Sequence, residues 1–415
     1  MNLLKTVVSM MTLLAFIQPS GAQVSQTQKM TKQEVKDYFK TVDPTLRQQL
    51  IKDMQVIHDA SSIDQEHQKS VLEHMTNICG LPYVRDQKTG VLILPIAKCT
   101  YQARNPKNPF QGMSPKFDCL FESVDPKTQE IKNEKVKVKY DAAQRSGGGY
   151  KEIPQAVLGT QFARLFGFYS NTYCPVKQLT CIGCPSQDPW SNSRSQALTV
   201  KDKTVIFKDV VFEIEAKGMV ITDKTAATMS KPQGFSFNDE MSKYLPLNGS
   251  LRQGTILDRE QIDIWVNFIR HNDADPHNNK LICKEFVFDK NQKPSCTNVY
   301  GTVNDYGNSF GYAGSNSKMS LSEFMKSSLR RPFSLSNLFS PSSNSDIVTT
   351  GAASSASDYK VSKESIKNFI ERGLRIQEED LLDIFDLAQI NTVSGKNSKE
   401  WSAGFRKKLK DMNQF

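Results

Sequence analysis

His271-Asn-Asp-Ala-Asp-Pro-His-Asn-Asn279 separates an apolar helical run ending at Ile269 from an apolar strand-like run, Leu281 to Phe288. Asn291 to Pro294 marks a turn, a second strand follows, and the chain reaches Val303-Asn-Asp305-Tyr-Gly307. The order and the strand-turn-strand separation match an HxDxxxxN loop followed by DxG. Phosphoryl transfer needs a carboxylate to accept the proton of the attacking hydroxyl, and an amide and a second carboxylate to hold a divalent metal on nucleotide phosphates. Asp273 supplies the first group, and Asn278 and Asp305 supply the metal ligands.

The same template requires, upstream, a strand lysine for the phosphates and a helix that positions it. In Val136-Lys-Val-Lys-Tyr140 the alternation puts Lys137 and Lys139 on one face, and Val136, Val138 and Tyr140 on the other. A Gly-rich loop, Ser146 to Gly149, precedes a helix from about Ile153 to Phe166, closed by Gly167. Strand-like runs at 204–207 and 210–214 then lead to Glu215-Ala-Lys217, where a hinge to a second lobe belongs. With the earlier runs Val91 to Pro95 and Phe117 to Ser123, residues 81–218 read as a β-rich lobe with one helix.

Residues 219–415 read as a mostly helical second lobe. Gly314 to Asp358 is rich in Ser, Asn and Ala and reads as a mobile insertion. Trp401, Phe405, Leu409 and Met412 stripe a last helix that suits core packing. At the other end, 23–80 is helical in pattern, with Val35, Phe39, Leu46, Leu50, Met54 and Ile57 at helical spacing. His58, His67 and His74 fall in this segment and are assigned no chemistry.

The chain's 415 residues suit one large two-lobed domain with appended helices. Hydrophobic residues at 38% and charged residues at 23% exclude wholesale disorder. A net charge of +9 suits an anionic partner without naming one. Met1 to Lys5, the apolar run Thr6 to Ile17 and the small residues at Ser20 and Ala22 read as a signal peptide, 1–22, cleaved after Ala22. The mature protein is then secreted or periplasmic, with no transmembrane segment. All 8 cysteines follow that point, and an even number in an exported chain predicts disulfides, one of them Cys283–Cys296 across a hairpin. Cys181-Ile-Gly-Cys184 also fits a redox pair or half a zinc site.

The pieces MSPKFDC (113–119), KVKY (137–140), ARLFGF (163–168), CIGCP (181–185), VFEIEAKG (211–218), HNDADPHNNKLIC (271–283), NDYGNSFG (304–311) and FRKKL (405–409) resemble a family. It is the atypical kinase class of phosphatidylinositol 3-/4-kinase-like and HipA-like proteins, and within it exported bacterial kinase-like proteins. The likeness runs from about Gly112 to the C-terminus. It implies an α+β, bilobal protein-kinase-like fold with an N-terminal helical extension and C-terminal helices. ATP and Mg (or Mn) are the implied cofactors, and the acceptor is an unidentified protein or lipid, with no nucleic acid expected. Asp273 and Lys139 are the implied catalytic residues. Lys139, Lys137, Glu152, Glu215 and Lys217 line the nucleotide, and Asn278 and Asp305 bind the metal. The helix glutamate that many such kinases carry falls at Ala156, one turn after Glu152, and Asp275 stands where many carry a lysine.

Those departures define an alternative, a catalytically impaired pseudokinase or a disulfide-bonded binding module. A third reading is a metal-dependent hydrolase using His271, Asp273, Asp275 and His277, which needs further ligands from distant segments.

Overall fold

The computed structural model describes residues 30–58, 69–105, 110, 115–124, 130–140, 152–184, 204–222, 234–235, 255–271, 278–310, 319–326, 329–330, 347–350 and 360–414. The expected signal peptide, 1–22, the Gly-rich loop at 146–149, and Asp273, Asp275 and His277 lie outside them.

The chain opens with α1 (Lys32–Phe39), closed by a capping box between Thr31 and Glu34, and α2 (Pro44–Asp53), capped by Asp43. Helical spacing continues in sequence to Ile57, yet the backbone from Met54 is extended. Gln55 bridges to Tyr300 and Ile57 to Phe168, so the apolar residues 54, 56 and 57 are buried by strand-like pairing across distant segments. Next comes α3 (Val71–Cys79), which ends on the left-handed Gly80.

A short hairpin of β1 (Val84–Arg85) and β2 (Leu92–Ile93) leads to β3 (Ile96–Gln102), β4 (Lys116–Val124) and β5 (Ile131–Lys139). After α4 (Ile153–Leu165) come β6 (Thr172–Ile182) and β7 (Thr204–Ile214). The five longer strands close a barrel in the order β3-β4-β5-β7-β6, antiparallel except for the parallel β3–β6 seam. The two runs read from sequence at 204–207 and 210–214 are one strand, with Asp209 at φ 49° between them.

Beyond the barrel, β8 (Met219–Ile221), α5 (Thr255–Phe268), β9 (Lys280–Phe288) and β10 (Pro294–Thr302) follow, with the three strands in one antiparallel sheet. The 3₁₀ turn Tyr306–Asn308 comes next, then α6 (Leu321–Phe324) and a second sheet of β11 (Leu329–Arg330), β12 (Ile347–Thr350) and β13 (Lys360–Ser362). The chain ends with α7 (Lys363–Arg375), α8 (Glu378–Leu387), α9 (Ile390–Ser394) and α10 (Ser398–Met412). Helices and sheets are thus mixed, an α+β fold. Part of the Ser-rich 314–358 stretch is α6, whose Phe324 is fully buried.

α4 runs through the centre of the core. Its Phe162 stacks on Phe405 of α10 at 4.5 Å, and Phe166, just past the helix, stacks on Phe369 of α7 at 4.5 Å. Trp401, Phe405 and Leu409 are fully buried, so the last helix packs into the core.

All 8 cysteines pair, as Cys79–Cys174, Cys99–Cys119, Cys181–Cys184 and Cys283–Cys296. The last bridges the β9–β10 hairpin as expected. Cys181–Cys184 closes its own turn, beside Cys99 in register on β3. Among the described residues, no helix is long and apolar enough to cross a membrane.

Candidate active site

Strand pairing brings the first group of charges together. On β5, Lys137 and Lys139 share a face, while Val136 and Val138 are buried on the other. β5 pairs with β7 so that Lys137 lies opposite Glu213. Glu213 takes an ion pair from Lys137 at 3.2 Å and lies 3.7 Å from the Lys139 ammonium. Glu215, two residues on and so on the same side of the chain, pairs with Lys137 at 3.1 Å and Lys280 at 3.8 Å.

The second group arrives from beyond β10. Asp305 is held at φ 58°, ψ 50°, a left-handed conformation in which aspartate is enriched. This turns its carboxylate toward β5, where Oδ1 accepts from Lys139 Nζ at 3.1 Å. Lys139 also donates to Tyr173 Oη at 2.8 Å. One buried cation therefore joins β5, β6, β7 and the loop after β10, elements 166 residues apart in the case of Asp305.

The charges hold each other ionised. Burial alone would lower the Lys139 ammonium, but Asp305, Tyr173 and Glu213 outweigh it and keep it well above the usual lysine range. Lys139 holds the Asp305 carboxyl below its ordinary value against burial. Burial would raise Glu213, yet Lys139 and Lys137 hold it far down. Asp305 keeps about a third of its side chain exposed, at 36%, so it is reachable from solvent where its partners are not.

α4 packs on the Asp305 turn through two glycines. A Cβ at Gly159 would come within 2.3 Å of the Tyr306 ring, and one at Gly307 within 2.8 Å of Glu152 Cβ. Glu152, at the N-terminus of α4, therefore lies against Gly307, and Lys139 takes its described carboxylate partners from β7 and the Asp305 loop. Ala156 is buried within α4. Lys217 follows Glu215 at the end of β7, and its backbone carbonyl accepts from Tyr300 Oη.

His271 is fully buried, with Nδ1 3.1 Å from Ser309 Oγ and its ring 5.2 Å from Tyr306. The imidazole that the hydrolase reading requires as a ligand is thus engaged in packing the start of one loop against the other. Asn278 precedes β9 and is partly exposed, and Asn279 behind it is buried, donating to Phe235 O at 2.9 Å. The base candidate Asp273 lies outside the described residues.

Several site residues were not singled out from sequence. Glu213 alternates with Glu215 on one strand face, and that period was its signal. Lys116, in MSPKFDC, stands directly across the β4–β5 ladder from Lys139 and is buried. Asn171 is a buried hub: its amide N–H donates to Asn304 Oδ1 at 2.9 Å, its Nδ2 to Glu213 Oε1 at 2.8 Å, and its Oδ1 accepts from Ala216 N at 3.0 Å. No local pattern marks Asn171 or Tyr173.

Asp305 offers an ionised, accessible carboxylate, an oxygen donor of the kind that a hard divalent cation takes. The paired lysines suit phosphate oxygens.

No family model and no curated protein matches the chain. Among solved structures it is similar to a proinflammatory kinase, CtkA, of Helicobacter pylori, at 12% identity and a TM-score of 0.35, over 77% of this chain and 94% of that one. A likeness at that level carries no argument of its own.

Proposed function

We propose that the chain is an exported, kinase-like phosphotransferase with a bilobal arrangement, using ATP and Mg (or Mn) on an unidentified protein or lipid hydroxyl. The observation that carries this reading is the 3.1 Å pair between Lys139 on the barrel and Asp305 in the loop after β10, backed by Glu213. A buried strand lysine facing a reachable aspartate is the arrangement phosphoryl transfer uses to cradle phosphates and anchor their counter-ion.

In this reading Lys139 contacts the α/β-phosphates, with Lys137 and Glu215 ordering the strand edge beside it. Glu213 keeps Lys139 charged and aimed. Asp305 and Asn278 hold the divalent ion, which when bound neutralises charge on the transferring phosphates. Asp273, from the sequence pattern, accepts the acceptor's proton, and Glu152 steadies the Asp305 turn through Gly307. Lys217 stands at the hinge. Export after cleavage at Ala22 fits the four disulfides, which persist in oxidising compartments.

Thermal shift of the mature chain with ATP, with and without Mg²⁺ or Mn²⁺, tests the reading. Metal-dependent stabilisation is expected by mass action. Asp305→Asn is expected to lose it together with turnover. Asp273→Ala is expected to keep ATP binding and to lower phosphoryl transfer by roughly 10²-fold or more. No shift at saturating ATP with either metal rejects the reading and leaves the binding module.

A further inference from the structure

Cys181-Ile-Gly-Cys184 fits half of a zinc site, and the barrel supplies the other half. β3 and β6 run parallel with Cys99 directly beside Cys181. β3 and β4 run antiparallel with Cys119 opposite Tyr101, two residues from Cys99 and so on the same face. The Sγ atoms of Cys99, Cys119 and Cys181 consequently lie within 4.8 Å of one another. The fourth sulfur, Cys184, is bonded to Cys181 across a turn in which Gly183 takes the left-handed conformation, φ 69°. All four side chains are buried.

Two disulfides require closeness within each pair and none between the pairs. Here Cys99–Cys119 and Cys181–Cys184 adjoin as well. Four sulfurs bound to one zinc ion stand about 2.3 Å from it, and hence roughly 3.8 Å from each other at tetrahedral angles. The Cα separations, 5.8 Å for Cys99 and Cys119 and 5.7 Å for Cys181 and Cys184, let side-chain rotation reach that spacing with the strands in place. Compartment decides between the two states, because thiols that pair in oxidising surroundings stay reduced, and free to bind metal, in reducing ones.

We propose that Cys99, Cys119, Cys181 and Cys184 form a tetrathiolate site for one zinc ion when the chain is reduced, and two disulfides when it is oxidised. A dithiol supplies the electrons: each disulfide takes up two electrons and two protons, and each dithiol closes to its own disulfide. Zinc then binds as the four thiols release their protons. The metal takes over from the two bridges in holding β3, β4 and the end of β6 together. None of the four residues is assigned to phosphoryl transfer, so this inference and that reading fail separately.

The test titrates Co²⁺ and then Zn²⁺ into the chain under anaerobic conditions, reduced with a phosphine so that no added thiol competes for metal. One equivalent of Co²⁺ is expected to give the strong visible absorption of tetrahedral cobalt thiolate, and one equivalent of Zn²⁺ to bleach it. Zn²⁺ is also expected to raise the Tm of the reduced chain by mass action, and to leave that of the oxidised chain unchanged. Cys99→Ser and Cys184→Ser are each expected to weaken binding by more than the roughly tenfold that loss of an outer-shell partner costs. In the reduced chain these substitutions remove a ligand and no bridge, and circular dichroism matched to the reduced wild type checks the fold. Cys283→Ser/Cys296→Ser is expected to retain the site. Absence of the cobalt absorption in the reduced wild type overturns the proposal. Binding that survives in Cys99→Ser, that is lost in Cys283→Ser/Cys296→Ser, or that the oxidised chain matches overturns it equally.

Discussion

Lys116 faces Lys139 across the β4–β5 ladder, and two buried ammonium groups at that register compete for the same carboxylates. Burial first, then Lys139, push Lys116 down to about 8. As pH rises from about 8 toward the ordinary lysine value, the folded chain has released a proton that the unfolded chain still holds, so this group's contribution to stability grows. Its cation is lost over that window, so under the proposed reading phosphate affinity should fall. We predict that ATP affinity with saturating metal declines as pH passes through about 8, and that Lys116→Met is weaker below that pH and flat across it. An unchanged pH profile in Lys116→Met would remove Lys116 from the site. Lys139 differs because its carboxylates hold its proton, and it stays charged throughout.

At the scale of elements, α4 is the part that couples the core to the site. It is buried along nearly its whole length, so its apolar residues wrap all sides and its sequence lacks an amphipathic stripe. Gly159 within it normally costs about 1 kcal/mol of helix stability relative to Ala. Here the space that a methyl would need belongs to Tyr306, 2.3 Å away. Gly159→Ala should therefore lower Tm, because overpacking of about 1–3 kcal/mol exceeds the helix gain. Metal-dependent ATP binding should fall with it, since Tyr306 adjoins Asp305. Calorimetry and an ATP titration check this, and a raised Tm with unchanged ATP binding would refute the coupling.

Across the whole molecule, the segment that precedes the barrel braces the rest. Arg259 of α5 donates to the carbonyls of Ile51, Lys52 and Met54, ending α2. Arg85 reaches Asp383 at 2.8 Å and Asp386 at 2.7 Å on α8. Cys79–Cys174 ties α3 to the barrel across 95 residues. Replacing that pair with Ala should cost roughly 2–5 kcal/mol, mostly through the freed unfolded chain. Urea denaturation reads this as a lowered midpoint, and an unchanged midpoint would mean that the bridge adds nothing.

The sequence by itself determined features that depend on near neighbours. The Lys137/Lys139 face and the Cys283–Cys296 hairpin bridge are set by period and turn, and so are the β4, β5 and β9 strands and the order of the two acidic loops. What it left illegible depends on residues far apart along the chain. β6 carries Pro175 within a strand and resembles no strand pattern, yet it pairs with both β3 and β7 to close the barrel. Glu213, Tyr173 and Asn171 became partners of the Lys139 site only when β5, β6 and β7 lay side by side. Residues 54–57 kept a helical spacing but were drawn out by backbone pairing with Tyr300 and Phe168. Short-range periodicity records which side of an element is buried, but not which distant element buries it, and only the tertiary structure decides that.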